Sequence, residues 1–399
     1  MILKVHTSLL RVGVFVHDFN CSQSSQSFFI NQSHIKSEKS IEILKSWEIN
    51  EVYIDTSRGL APKRPPEELV IGFDEITNVS APLVPLKEEI KIAKIIKQQA
   101  VDVMQRSMVS IHDAKIIDIN SAYNVVEKMH ESVTRNKDAL QLLTRIRNKD
   151  EYTLMHSISV SSMVLAFCNA SRIDYDSSIK MAVGALLHDI GKTRIPLAIL
   201  NKPGKLDTTE YDIIKTHAEH SADILSKTKE LPDEAFDIAL HHHERCDGSG
   251  YPYGLQKKSI TTGSKIASIC DVYDAITAER CYKKAIGKVT GLTKIYDMRN
   301  GHFDRKITLE FIRFIGVYPV GTFVKLEDGQ TGLVIDSTHN ILQPIVRLFY
   351  DNNQKTLINL RDVDLSKLNM NVFSYDLPED WDSSKKQAFN KTSKALRKL

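Results

Sequence analysis

Apolar and polar residues alternate in two short stretches near the start of the chain. Residues 10–16 and 51–55 show this alternation, which predicts two strands, and residues 38–47 between them have the spacing of a helix. The five prolines between residues 62 and 85 indicate an irregular connection after this unit. The pattern therefore predicts a small α+β domain at the N-terminus.

The pattern changes to a helical period over residues 87 to 314, where strand signals are almost absent. The first stripe of apolar positions, which we expect to be buried, consists of Ile90, Ile92, Ile95, Ile96, Val103 and Met104. Alternation returns after Pro319, and Asp328-Gly329 between two alternating runs indicates a hairpin. The predicted units are an α+β domain (1–80), a linker with a helix (81–121), a helical domain (122–318), a small β appendage (319–366) and a basic tail (367–399).

Composition places the chain among ordinary globular proteins. It has 399 residues, of which 42% are hydrophobic and 26% charged, enough apolar material for a large core. The net charge of +3 is too small to indicate binding of DNA or RNA. The lysines of residues 383–399 are typical of a solvated, frayed helix, and a contact with a partner or lipid is the alternative.

Targeting signals are not evident in the sequence. No apolar run reaches the ~18–20 residues that a membrane-spanning helix needs, so we expect no membrane span. Lys4, His6 and Arg11 interrupt the N-terminal apolar stretch, unlike a signal peptide. The five cysteines are odd in number and lack CxxC spacing, which favours free thiols in a reducing compartment. We therefore expect a cytoplasmic protein.

Histidines are concentrated in the helical region, where seven of the 14 lie between His156 and His243. They belong to short motifs: His156-Ser, His188-Asp189-Ile-Gly-Lys192, Lys215-Thr-His217, His241-His242-His243-Glu-Arg and Asp271-Val-Tyr-Asp274. The apolar helix that ends at Leu187 leads directly into His188 and Asp189. Buried polar groups of this kind are costly unless they are satisfied, and a divalent metal satisfies both.

The other motifs extend the same interpretation. His156 begins an apolar helix, and Asp271 follows the apolar run that ends at Ile269. At most two residues of the triple His241-His242-His243 can face one site, because neighbours on a helix differ by about 100°. A set of histidines with two aspartates suits iron or manganese better than structural zinc. Two cations bridged by an aspartate would generate a hydroxide nucleophile for phosphoryl transfer. The sequence contains neither a nucleophile elbow nor a GxxxxGK[ST] loop, which would indicate a different hydrolytic mechanism.

These residues resemble the HD-GYP family, bacterial cyclic-dinucleotide phosphodiesterases within the HD hydrolase superfamily. The likeness rests on His188-Asp189-Ile-Gly-Lys192, on residues 242–255 with Gly250-Tyr251-Pro252, and on residues 271–283, and it covers roughly residues 122–314. It implies a mainly α fold, with an α-helical HD-type metal hydrolase domain between the small α+β and β units. The N-terminal unit resembles a domain of unknown function that often precedes such domains.

The resemblance also implies roles for individual residues. The implied metal ligands are His156, His188, Asp189, His217, His242, His243 and Asp271. Lys192 would contact the scissile phosphate or assist the leaving oxygen, and Tyr251 would face the substrate. Arg280 and Lys283 match positions that hold the substrate phosphates. His241 would be the spare member of the triple, and His220 a supporting or core residue.

Two departures from the family pattern affect the expectations. Tyr152 stands where some members have a glutamate that holds a third metal, so we expect two divalent ions, iron or manganese. Cys246 replaces a common aromatic residue near the pocket and leaves the base preference open between cyclic di-GMP and 3′3′-cyclic GMP-AMP. The alternative function is a catalytically silent scaffold that binds signalling proteins through the Gly-Tyr-Pro surface. The sequence leaves a homodimer open.

Overall fold

The structure, a computed structural model, describes most of the chain. The described residues are 2–7, 10–18, 33–46, 51–55, 58–60, 82–113, 116–144, 152–202, 204–278, 287–338, 340, 342–368, 370–375, 381–383, 385–387 and 389. The helices are α1 (Glu38–Ser46), α2 (Leu86–His112), α3 (Ile119–Arg135), α4 (Lys137–Leu143), α5 (Tyr152–Ala170), α6 (Tyr175–Leu187), α7 (Leu197–Leu200), α8 (Thr208–Lys215), α9 (His217–Leu225), α10 (Asp233–His241), α11 (Thr262–Thr277), α12 (Lys288–Asp297), α13 (Arg305–Ile315) and α14 (Leu365–Leu368). The strands are β1 (Ile2–His6), β2 (Phe15–Asp18), β3 (Ser33–His34), β4 (Glu51–Asp55), β5 (Phe323–Leu326), β6 (Gln330–Asp336), β7 (Ile345–Asp351), β8 (Thr356–Asp364) and β9 (Val372–Tyr375).

The N-terminal unit is an antiparallel sheet whose described strands lie in the order β1-β4-β2-β3, with α1 packed against it. The predicted strand at residues 10–16 begins only at Phe15. Leu10 and Val14 are fully buried, but they lie in a turn in which Gly13 has φ +95°, a conformation that glycine adopts readily. The alternation at residues 10–14 therefore reflects burial of side chains, and the strand pairing with β3 and β4 involves residues 15–18.

The helical core is built around α5, which is buried on nearly every side. Six of the described helices begin at a side chain that accepts a backbone N–H, namely Asp118, Asn136, Asp174, Asp207, Thr261 and Asp304. Within the described part of the chain, α5 is long and apolar enough to span a membrane, and 83% of that stretch is buried inside the fold. The predicted fold class, mainly α with small flanking α+β and β units, is confirmed.

Helix α2 belongs to this core. Ile90 and Ile96 are buried against the neighbouring helices, whereas Ile92 is 45% and Ile95 63% exposed, so the predicted stripe is wrong at these two positions. The stretch 81–121 thus contributes a long core helix, and the boundary drawn between residues 121 and 122 falls inside α3.

The C-terminal unit is an antiparallel sheet, with the described strands in the order β8-β7-β6-β5-β9. It extends to Tyr375, beyond the expected end at residue 366. Trp381 is 4% exposed and packs against Phe323 and Phe349, and Lys385 is 6% exposed. Phe389 also packs against Phe323 and Phe349, so the segment 383–399, which was expected to be solvated, contacts the sheet at its described residues Lys385 and Phe389.

Candidate metal centre

The ends of several core helices deliver the predicted ligands to one interior point. Helix α6 buries Ile179, Ala182 and Val183, and its C-terminal end carries His188 and Asp189, which are 1% and 2% exposed. The remaining candidate ligands come from the second turn of α5 (His156), the start of α9 (His217), the residues directly after α10 (His242, His243) and the middle of α11 (Asp271). Helix packing therefore assembles segments that are far apart in sequence.

Three groups of ligand atoms lie close enough together to hold metal ions. They are His217, His242 and His243; His156, His188 and Asp271; and His188, Asp189 and His242. Within each group, one ligand atom from every residue lies within 4.8 Å of the others. All seven predicted ligands occur in these groups, and His188 and His242 occur in two. The groups therefore form one continuous cluster among the described residues.

Asp189 lies at the middle of this cluster. Its Oδ1 is 3.4 Å from His217 Nε2, and its Oδ2 is 3.3 Å from His188 Nε2. The Lys192 ammonium is 2.5 Å from the same Oδ2. A carboxylate with histidines at both oxygens has the arrangement that bridging two cations requires.

Backbone carbonyls orient the imidazoles. The Nδ1 of His188 donates to the Ala185 carbonyl at 2.7 Å, and the Nδ1 of His217 donates to Ile214 at 2.6 Å. The Nδ1 of His242 lies 3.1 Å from the carbonyls of Ile238 and Ala239. Because a carbonyl accepts only from N–H, these contacts leave each Nε2 lone pair directed at the centre, as metal coordination requires.

His156 is oriented differently, by a carboxylate. Its Nδ1 donates to Asp274 Oδ2 at 2.6 Å, and its Nε2 lies 3.0 Å from Asp271 Oδ1. The Ser159 hydroxyl donates to Asp274 Oδ1 at 2.6 Å. Asp274 belongs to a motif that the sequence singled out, but its role in orienting His156 was missed. The spacing of residues in a motif does not distinguish a metal ligand from a residue that hydrogen-bonds to a ligand.

Burial controls the protonation of the histidines. It lowers the pKa of His217 to about 4, with Lys192 adding to the effect. Burial, together with neighbouring imidazoles, also holds the pKa of His242 and His243 well below its usual range. Burial opposes protonation of His156 too, but hydrogen bonds to Asp271 and Asp274 outweigh it and raise its pKa to about 9. Three of the imidazoles are therefore neutral, the form that binds metals.

The two carboxylates of the cluster are ionised. Burial raises the pKa of a carboxyl group, but His188 and Lys192 outweigh this for Asp189 and hold its pKa well below the ordinary value. The pKa of Asp271 is likewise held well below the ordinary value, because its hydrogen bond with His156 outweighs the effect of burial. Ionised carboxylates are the form that coordinates cations.

Unsatisfied atoms test whether the cluster fits metal ions. His188 Nε2 and Asp189 Oδ1 are buried and form no hydrogen bond with any described residue. Such atoms are costly unless something else binds them. A divalent ion would satisfy both, and imidazole with carboxylate donors matches iron or manganese chemistry. The residues present therefore fit a metal centre.

The remaining predicted site residues lie around the cluster where they are described. The Tyr251 ring centroid is 4.6 Å from that of His243, and Lys192 has a side chain 24% exposed. His241 donates to Asp237 at 2.8 Å and lies in none of the ligand groups. Arg280 and Lys283 lie outside the described residues.

Two further side chains beside the cluster have notable contacts. Tyr152, at the position of the third-metal glutamate, stacks on His156 with ring centroids 6.2 Å apart and an interplanar angle of 10°. Glu244 is 2% exposed and accepts two backbone N–H groups of the loop that contains Tyr251. The role of Glu244 was missed at the sequence level, and its position directly after His243 was the available signal.

Comparison with known proteins agrees with this geometry. An HD domain model matches residues 124–307, and a model of a domain of unknown function (DUF3391) matches residues 2–135. The cyclic di-GMP phosphodiesterase PA4108 of Pseudomonas aeruginosa is 32% identical over 391 residues, which cover 96% of this chain and 94% of that protein. The chain belongs to the HD-GYP family.

Other HD-GYP relatives match a smaller part of the chain. The 3′3′-cGAMP-specific phosphodiesterase 2 of Vibrio cholerae is 42% identical over 30% of this chain and 23% of its own length. The cyclic di-GMP phosphodiesterase response regulator RpfG of Xanthomonas campestris pv. campestris is 30% identical over 55% of each protein. The family predicted from the motifs is therefore confirmed. The DUF3391 match runs through α2 into α3, beyond the expected domain end at residue 80.

Proposed function

We propose that this HD-GYP protein hydrolyses a 3′,5′-cyclic dinucleotide to the linear dinucleotide with two divalent ions, iron or manganese. The observation that carries the proposal is the buried, unsatisfied pair His188 Nε2 and Asp189 Oδ1 within the seven-residue cluster. Bound ions would supply Lewis-acid charge to the phosphoryl oxygens and acidify the attacking water. The complete ligand set supports hydrolysis over the alternative of a silent scaffold.

The protein's own residues have distinct roles in this proposal. Asp189 bridges the two halves of the cluster through its two oxygens. Lys192 is cationic beside Asp189 and partly exposed, so it can donate a hydrogen bond to the scissile phosphate or the leaving oxygen. Tyr251 lines the site next to His243. We propose Arg280 and Lys283 as further phosphate contacts on the basis of their motif positions.

Both cyclic di-GMP and 3′3′-cyclic GMP-AMP are candidate substrates, because relatives named for each are similar to this chain. Metal and phosphate contacts do not distinguish bases. The test is to incubate protein reconstituted with iron or manganese with a panel of cyclic dinucleotides and to identify the products by chromatography. Absence of turnover with every member of the panel would contradict the proposal.

Site variants provide the specific controls for this assay. We expect His188→Ala and Asp189→Ala to abolish hydrolysis while circular dichroism shows a largely unchanged helical content. Lys192→Ala should lower kcat with metal content unchanged, and Lys227→Ala, an exposed lysine, should change neither. Retained turnover in both ligand variants would disprove the metal assignment, and loss of metal in Lys192→Ala would give that lysine a structural role.

A further inference from the structure

The loop that contains Tyr251 folds back onto the segment that provides two metal ligands. The Tyr251 N–H donates to the His243 carbonyl at 3.3 Å. A Cβ atom at Gly250 would lie 2.5 Å from the Glu244 Cα, so only glycine permits this approach of one backbone to the other. The base of the loop is closed by an antiparallel bridge between Asp247 and Gln256.

Glu244 forms two hydrogen bonds with the backbone of this loop. Its Oε1 accepts the Tyr253 N–H and its Oε2 accepts the Leu255 N–H, both at 2.8 Å. The side chain is 2% exposed, and burying a carboxylate is expensive unless hydrogen bonds compensate for the lost water. Both compensating donors belong to the loop. Opening the loop would therefore leave a buried carboxylate without these donors, which favours the closed conformation.

In the closed loop, the Tyr251 ring lies against the ligand cluster and forms an aromatic wall beside it. The Tyr251 ring centroid lies 4.6 Å from that of His243 and 6.2 Å from that of His217. Glu244 directly follows His243, so one short segment fixes both a ligand and the wall. A wall that is fixed before the substrate arrives does not have to be ordered on binding, and this raises affinity.

We propose that Glu244 is a positioning residue that clamps the loop 250–255 in the conformation that binds the nucleotide part of the substrate. This inference rests on the proposed function and assigns substrate affinity, as distinct from metal-dependent cleavage, to the clamped loop. Glu244 acts through the Tyr253 and Leu255 amides and belongs to none of the three groups of candidate metal ligands.

The test replaces the carboxylate by its uncharged isostere. In Glu244→Gln only one oxygen remains to accept, so one loop amide loses its partner, and hydrogen bonds to charged groups are worth about ten- to a hundredfold in an equilibrium constant. We expect hydrogen exchange of the Tyr253 and Leu255 amides to accelerate by about this factor. KM for the cyclic dinucleotide should rise similarly, while kcat and metal content stay within about twofold.

A substrate without nucleobases separates affinity from cleavage. Turnover of bis(p-nitrophenyl) phosphate needs the metal centre but no nucleotide contact, so we expect Glu244→Gln to leave it unchanged. The matched control is Glu210→Gln, which also removes a carboxylate that accepts a backbone N–H, from Asp207 at 2.9 Å in a helix cap. This control should leave loop exchange and KM unchanged.

The outcomes distinguish the clamp from the proposed function. Unchanged amide exchange or unchanged KM in Glu244→Gln would overturn the clamp. Loss of metal would also overturn it, because Glu244 would then support the ligand pair. If wild-type protein cleaves bis(p-nitrophenyl) phosphate but no cyclic dinucleotide, the proposed function fails, and faster exchange of the two amides at constant metal content would still support the clamp.

Discussion

Asp274 fixes the ring orientation of His156 at the candidate metal centre. Its carboxylate accepts the Nδ1 hydrogen of His156 at 2.6 Å and the Ser159 hydroxyl at 2.6 Å, and Asp274 is 5% exposed. With Nδ1 occupied in this way, Nε2 is the nitrogen that points to Asp271 and the cluster. A carboxylate behind a ligating histidine fixes the ring orientation and increases its basicity.

We therefore predict that Asp274→Asn weakens metal binding by about 10- to 100-fold, as expected for loss of such a supporting carboxylate. The amide keeps the size of the side chain but retains only one accepting oxygen for two donors. Competition with a chelator of known affinity measures the effect. Asp223→Asn, which removes a carboxylate from the surface pair with Arg194, is the control and should bind metal normally. Normal affinity in Asp274→Asn would contradict this role.

At the level of residues, the sequence indicated which side chains could bind metal ions but not which side chains orient them. The seven candidate ligands were predicted because histidine and aspartate at the ends of apolar helices are costly without a ligand, and because the motifs resemble a family. Asp274 and Glu244 could not be assigned, since a carboxylate that braces a site has the same sequence signal as one that binds metal. Their roles depend on contacts between distant helices.

Helices α2 and α3 are joined by an ion pair between buried Glu89 and partly exposed Arg135. Glu89 is fully buried, and its carboxylate accepts from the Arg135 Nε at 2.7 Å, the Arg135 Nη2 at 3.0 Å and the Ser132 hydroxyl at 2.7 Å. Removing one partner of such a pair leaves an uncompensated charge, whereas removing both partners together is often neutral. The pair therefore controls how α2 docks on α3.

We predict that Arg135→Met lowers the free energy of unfolding by about 3–5 kcal/mol and that adding Glu89→Met restores most of it. Urea denaturation followed by circular dichroism gives both values. Arg194→Met removes the exposed partner of Asp223 and should cost at most about 1 kcal/mol. A double variant as unstable as Arg135→Met would disprove this account of the pair.

Periodicity predicted that α2 exists but not which of its faces is buried. Ala93 and Ala100 are fully buried, and Ile95 lies about 200° round the helix from Ala93 at 3.6 residues per turn. Ile92 and Ile95 therefore belong to the exposed side of a helix that has apolar residues on two faces. The buried face carries Glu89, which pairs with Arg135, together with the residues that pack against the core.

For the whole molecule, the buried imidazoles couple stability to pH when metal is absent. His217 has a folded-state pKa of about 4, below the ordinary 6.5, so its contribution to stability is present above 6.5 and is lost as pH falls toward 4. His156 has a folded-state pKa of about 9, so its contribution is present below 6.5 and is lost as pH rises toward 9. His242 and His243 also have lowered pKa values, so they add to the loss of stability that His217 causes as the pH falls below 6.5. This loss is larger than the stability that protonated His156 contributes.

We predict that the melting temperature of chelator-treated protein falls between pH 6.5 and pH 4.5, with His217 alone accounting for about 2–3 kcal/mol of unfolding free energy. Calorimetry over this pH range measures the change. The fall should be smaller in His217→Gln and unchanged in His112→Gln, which replaces a histidine whose side chain is 92% exposed. A melting temperature that is constant or higher at pH 4.5 would contradict the prediction.

The sequence by itself determined the helical middle of the chain, the two flanking units and the chemistry of the ligand set. Local spacing sets helices and strands, and metal coordination restricts the residue types. Tertiary structure decided that His241 lies outside the ligand cluster and that Asp274 and Glu244 form supporting hydrogen bonds beside it. It also decided that Trp381 covers the C-terminal sheet. His156 and Asp274 meet across 118 positions of sequence, and only the packing of α5 against α11 brings them within hydrogen-bonding distance.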